Sequence, residues 1–196
     1  MSLNFLDHDV DKIGLDCIQE ALWPTLVTTA LDRFPTNRFT TNSRLKGIID
    51  FRGYTSSGQF PLIGYEITGA SAPEVATLGM YTFRIEYIVK IAHRGVFSHS
   101  DATNTAGRRM VVRDLHRAQV ALASIDDARL TYGAYGIAHS TLITGKESGR
   151  TYCIGANPVI GEMTVYKATT EEGGIDSLGV DIWVGTFPGE MTIHVQ

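Results

Sequence analysis

Few of the features by which a sequence announces its function are present in this chain. It has only two cysteines in 196 residues, Cys17 and Cys153. They lie far apart, in no spacing used by a metal site or a redox couple, so both read as buried free thiols of a reducing compartment rather than a disulfide. No apolar run approaches the roughly 18 residues needed to span a bilayer. The leading residues carry Asp7, Asp9 and Asp11, the wrong charge for a secretion signal. The chain is therefore expected to be neither secreted nor membrane-bound by its own signals. Excess charge of either sign is small too. A net charge of −4 gives no general attraction to nucleic acid or anionic lipid, which argues against a free DNA-binding protein. No G-x-S-x-G elbow occurs, and Gly133-Ala134-Tyr135-Gly136 lacks the strand-turn-helix context of a phosphate-binding loop. There is no internal repeat, low-complexity tract or linker, so residues 1–196 are expected to form a single domain.

What is present is pattern. With 43% hydrophobic residues the chain can bury a real core. Between residues 80 and 125 a long alternating strand runs into a long amphipathic helix. Tyr81, Phe83, Ile85, Tyr87, Val89 and Ile91 fall on one face of the strand, and Thr82, Arg84, Glu86, Ile88 and Lys90 on the other. One face is expected to be core and the other to meet water or a partner. After the turn His93-Arg94-Gly95, with Ser100 or Asp101 as a cap, Val111, Leu115, Ala118, Leu122 and Ile125 recur at helical spacing. A helix of that extent is about 30 Å long and covers one face of a four- or five-stranded sheet.

The flanking segments complete an α+β reading. Residues 12–31 read as two short helical pieces or one helix kinked at Pro24, with Ile13, Cys17, Leu22, Leu26 and Val27 as the apolar stripe. Residues 45–51 and 60–68 read as two strands joined by the turn residues 53–59, a hairpin. The loop 69–78 carries no helical pattern, so the strands on either side are expected to pair antiparallel. Further strands are expected at 138–143, 159–168, 180–187 and 191–195, separated by loops at 144–150 and 169–179. The expected fold is an antiparallel or mixed twisted sheet with the long helix across one face, an N-terminal helix and an extra C-terminal β-hairpin segment. Residues 152–196 read as a C-terminal β extension or arm.

Two groups of polar residues invite a functional reading. His93, His99 and Asp101 lie in one loop with side chains suited to zinc or to acid/base work. Their spacing matches no standard ligand motif, and a solvated loop is the plainer interpretation. Ser98-His99-Ser100-Asp101 holds all three triad residue types, but triads converge in space and rarely in sequence. The other group lies on the long helix, where Arg109, Arg113, His116 and Arg117 recur at three- and four-residue spacing beside Arg108. Such a row faces phosphate, or carboxylates of a neighbouring subunit, or else it is a solvated helix face paired locally to Asp114.

The succession of a leading helix, a hairpin, a long alternating strand, a long helix across the sheet and trailing β elements resembles the tail terminator proteins of long-tailed bacteriophages, also called tail-completion proteins. Ile48-Ile49-Asp50-Phe51 and residues 61–68, 81–91 and 108–125 carry the likeness, over roughly the middle half of the chain. The resemblance implies a structural, non-enzymatic virion protein without cofactor or metal, assembled in the host cytoplasm. Its partners would be itself, as a homo-hexameric ring, the tail tube protein, the head-tail connector or stopper protein and, in contractile tails, the sheath. DNA would only pass through the ring's lumen, and no membrane is involved. A head-to-tail ring needs two different complementary patches per subunit. The polar strand face around Arg84, Glu86 and Lys90 and the helix face of Arg109, Arg113 and Arg117 are the candidates. A tail tube subunit or a connector protein is the nearest alternative. An alternative of another class is a small enzyme or ligand binder that uses the loop from His93 to Asp101. A bound metal, or an activity lost on replacing His99, would favour it over a ring.

Overall fold

A computed structural model describes residues 10–23, 39–52, 60–77, 80–95, 105–123, 152–154, 158–169 and 181–195. In chain order the elements are α1 (Val10–Leu22), a single 3-10 turn (Thr41–Ser43), β1 (Arg44–Lys46), β2 (Leu62–Ala70), β3 (Glu74–Thr77), β4 (Met80–Arg94), α2 (Thr105–Ala123), β5 (Tyr152–Ile154), β6 (Val159–Ile160), β7 (Thr164–Lys167) and β8 (Ile182–Val195). The strands form one mixed eight-stranded sheet in the order β1-β2-β4-β8-β5. β3 adds to β4 beyond the end of β2, and β6 and β7 follow β5 along the outer side of β8. The fold is α+β, with a helix packed on the sheet.

The spine of the sheet is the antiparallel pair β4 and β8, in register from Tyr81↔Val195 to Arg94↔Ile182 without a bulge. The period-2 pattern of β4 sends Phe83, Ile85, Tyr87, Val89 and Ile91 into the main core, as expected. Above them α2 buries Val111, Leu115, Ala118 and Leu122, spaced by four, three and four residues as one helical stripe requires. Each fully buried aliphatic side chain of this kind contributes roughly 2 kcal/mol through removal from water. α1 joins the same layer through Cys17, Ile18, Ala21 and Leu22. It ends two residues before Pro24: Trp23 donates its N–H to the Gln19 carbonyl at 2.8 Å, and a proline has none to give. The continuation of this helix expected to residue 31, like the strand expected at 138–143 and the helix beyond Ala123, lies outside the described residues.

Several expectations are corrected. The first two strands are not a hairpin: β1 has three residues and runs parallel to β2, with Arg44↔Ile63, Leu45↔Gly64 and Lys46↔Tyr65. Gly47 stops β1, because its φ of 72° is open to glycine and turns the chain out of the sheet. Its N–H still donates to the Tyr65 carbonyl at 2.8 Å, and Ile48 and Phe51 then lie over Gly64, Leu62 and Ala92 on the face of the sheet away from the helices. The loop 69–78 contains a strand, β3, while the strands on either side of it, β2 and β4, pair antiparallel as expected. The single strand expected at 159–168 is two, β6 and β7, and the two expected at 180–195 are one, β8. These last two departures have one cause. β6 pairs with residues 189 and 190 and β7 with residues 183 to 186, so Pro188 faces the gap between them. Its carbonyl accepts from Gly161 across that gap, and no partner strand there needs the N–H that proline lacks. The C-terminal residues 182–195 therefore sit between β4 and the β5–β7 edge, inside the sheet.

The face of the sheet away from the helices is not uniformly polar either. At one end Leu62, Ala92, Ile182 and Val184 form a second apolar cluster, which Leu45, Phe51 and Ala168 complete. Among the described residues no segment crosses the remaining part of that face.

Candidate interaction faces

This part of the outer sheet face is built by the even-numbered residues of β4 and their partners on β8. Arg84 stands opposite Thr192, Glu86 opposite Glu190, and Ile88 opposite Pro188. Arg84 and Glu86 are exposed, as a partner-facing surface requires. Lys90 is half-buried, with its ammonium 5.3 Å from the centre of the Phe51 ring, so it borders the apolar cluster and holds it closed as much as it serves the surface. Directly opposed like charges such as Glu86 and Glu190 are destabilising in an antiparallel sheet. Two features soften the repulsion. The Glu86 carboxylate leans across the strand toward Gly69, within 3.1 Å of where a Cβ there would stand. The Arg84 Nε lies 3.7 Å from Glu190 Oε2, but these side chains are 67% and 39% exposed, so the pair is worth little. Between β2 and β6 the same face opens into a groove of about 170 Å³, lined by Thr68, Glu86, Val159, Pro188 and Glu190. Beside it a second groove is lined by Ser71, Glu74, Thr82, Arg84 and Thr192.

At the border of this face Asp50 and Arg52 form a local ion pair, with Arg52 Nε 2.9 Å from both carboxylate oxygens. The side-chain hydrogen bond from Arg52, helped by its backbone N–H, lowers the Asp50 pKa from 3.8 to about 2. A depressed carboxylate favours the folded chain above its ordinary pKa and loses that advantage as pH falls through about 2. Replacing Arg52 by glutamine is expected to move the Asp50 carboxyl titration, followed by NMR, up toward 3.8. An unmoved midpoint would dismiss the pair.

The second face is the outward side of α2. Arg108, Arg109, Arg113, His116 and Arg117 are all exposed there. Arg109, Arg113 and Arg117 follow one another at four-residue intervals and so share one stripe. The only carboxylate of α2, Asp114, points the other way. It is fully buried and joined to His93, the Nε2 to Oδ2 distance being 2.8 Å. Of the arginine row, Arg113 is the described residue that reaches Asp114, with Nε 3.5 Å from Oδ1.

His93 is corrected by the same observation. It is the last core-facing residue of β4 rather than part of a solvated loop, and the Phe39 ring meets it edge-on with centroids 6.2 Å apart. His99 and Asp101 lie outside the described residues. Among the described residues no group of three or more His, Cys, Asp or Glu side chains is gathered as a metal site would need. No described helix is long and apolar enough to cross a membrane.

The six residues singled out in the sequence thus divide into two sets on opposite sides of one sheet. Arg84, Glu86 and Lys90 face away from the helices, and Arg109, Arg113 and Arg117 form the outer surface of the helical layer. Within one subunit the fold does not bring the sets together. Sequence reading missed Glu190, because its role depends on the β4–β8 register, and the groove residues Thr68, Val159 and Pro188, which come from three separate strands or their junctions. No protein-family model matches the chain, and no curated protein sequence matches it.

Proposed function

We propose that the protein is a structural virion component, a tail terminator that forms a ring on the head-proximal end of a phage tail tube and joins it to the head connector. One observation supports the reading above the others: the fold carries two charged faces of different composition on opposite sides, one on the outer face of the sheet and one on the helix that covers its other face. A closed two-fold dimer uses one patch twice, whereas a head-to-tail ring needs two unlike patches that meet in turn. The α+β build, with one long helix across the sheet, agrees with what the resemblance implies. In this reading the ring assembles in the host cytoplasm, ends in the virion neck and lets DNA pass only through its lumen. Catalysis and cofactors play no part. The burial of His93 in the core weakens the rival reading of a ligand site on its loop.

Light scattering over a wide concentration series is expected to show a species near six times the 21.4 kDa subunit. Labelled protein added to finished tail tubes is expected at one end of each tube in electron micrographs. Labelling along the whole tube would favour a tube subunit instead. A two-fold dimer that never grows further and never marks tube ends would sink the ring reading.

A further inference from the structure

We infer that the two charged faces are each other's partner, so that the arginine ridge of α2 on one copy docks into the Glu86–Glu190 groove of a second copy. The inference rests on the ring reading for closure of the assembly, but its chemistry is set by this chain alone. Glu86 and Glu190 oppose each other directly across β4 and β8. Among the described residues the cation that approaches the pair is Arg84, in an exposed contact with Glu190 at 3.7 Å. α2 in turn presents a row of guanidinium groups whose only carboxylate on the same helix is buried beneath it. Each face therefore lacks what the other supplies.

The spacings agree. Four residues of helix advance about 6 Å along the axis, and the Cβ atoms of directly opposed residues in an antiparallel pair stand about 5 Å apart. A helix laid across β4 and β8 thus offers successive arginines to the two carboxylates in turn, and guanidinium meets carboxylate in a two-bond fork. The groove is about 170 Å³, and beside the two acids its walls include Thr68, Tyr87, Pro188 and Val159, the last 54% exposed. Its apolar side, Pro188 and Val159, suits the methylene stem of an arginine whose head pairs with the acids. A solvent-exposed pair such as Arg84 with Glu190 is worth little, so an incoming, better-desolvated guanidinium displaces it without a large penalty. The contact is heterologous: ridge and groove are different surfaces, and each copy keeps one of each free for the next.

The test is a charge swap. One variant carries Arg109→Glu and Arg117→Glu, leaving Arg113 in place beside Asp114; the other carries Glu86→Arg and Glu190→Arg. Each alone sets like charge against like and is expected to raise the concentration of half-assembly by about tenfold or more. Mixed in equal amounts, the acidic ridge of one meets the basic groove of the other, and the remaining ridge and groove are unaltered, so the mixture is expected to assemble in alternation. Raised ionic strength weakens assembly of the unaltered protein. A variant that assembles as well alone as the unaltered chain overturns the inference and leaves the ring reading standing on other surfaces. Folded variants whose mixture stays monomeric overturn it as well. An unaltered chain that is monomeric at every concentration in low salt also overturns it, and labelling of tube ends then decides the ring reading separately. Where a reversed variant loses its melting transition, the glutamine pairs Arg109→Gln/Arg117→Gln and Glu86→Gln/Glu190→Gln carry the same test through a smaller shift in each midpoint.

Discussion

Replacing Asp114 by alanine is expected to lower the stability of the fold by about 3 kcal/mol or more, the usual scale for removing one partner of a buried polar or charged pair. The bond between His93 Nε2 and Asp114 Oδ2 is 2.8 Å long and lies beneath α2, with both side chains shielded from water. It ties the C-terminal end of β4 to the middle of α2, and Arg113 approaches the other carboxylate oxygen at 3.5 Å. Alanine leaves the imidazole with a buried polar nitrogen facing a small void, and the desolvation already incurred is no longer offset. For a chain of this size the loss corresponds to a fall in melting temperature of roughly 10 °C. Replacing both residues by leucine is expected to regain most of it, because a buried pair exchanged for apolar groups of similar size is often close to neutral. Thermal and urea unfolding of the single and double variants check this. A double variant as unstable as the single one would show that the pair is not what the site depends on.

This pair also shows where sequence reasoning reached its limit. His93 shares the odd-numbered parity of Phe83 through Ile91, and Asp114 lies on the stripe with Val111, Leu115 and Ala118, so both positions were legible as core positions. Residue type pulled the other way, placing the histidine in a polar loop and the aspartate on a charged surface. Periodicity was the better guide because a strand's face is fixed by its pleat, whereas a polar side chain can be buried whenever a partner meets it. The same reasoning explains why the core face of β4 and the stripe of α2 were read correctly: both depend on local repeats. The parallel pairing of β1 with β2, the split into β6 and β7 and the apposition of Glu86 with Glu190 depend on which segments meet across long sequence separations. No local pattern encodes those meetings. Candidate surface residues fared in between. Arg84, Glu86, Arg109, Arg113 and Arg117 are exposed as expected, while Lys90 is drawn toward Phe51 by a segment whose path over the sheet follows from the turn at Gly47.

That path is the subject of the second large effect, expected from Gly64→Ala. Gly64 lies on β2 between Leu45 of β1 and Lys90 of β4. A Cβ built on it would collide with the backbone carbonyl of Ile48 and come within 2.8 Å of Phe51 Cε1. A flexible side chain could swing clear, but a carbonyl cannot move without its segment. That segment is held at one end by the Gly47 N–H to the Tyr65 carbonyl and at the other by the buried Phe51 ring. The methyl group therefore forces the segment off the sheet, uncovering Leu62, Ala92 and Val184, or else pries β1 from β2. Either route is expected to cost about 3 kcal/mol, at the upper end for overpacking. Gly69→Ala is the matched control on the same strand. The three atoms nearest its Cβ all belong to the exposed Glu86 side chain, the closest a carboxylate oxygen at 3.1 Å that can move aside, so the change is expected to be about 0.5 kcal/mol or less. Urea unfolding of the two variants separates the cases, and amide exchange at Gly47 and Lys46 reports whether the segment has lifted. If Gly64→Ala proves as mild as Gly69→Ala, the segment does not press on β2, and the closed end of the outer face must be held by something other than the turn at Gly47.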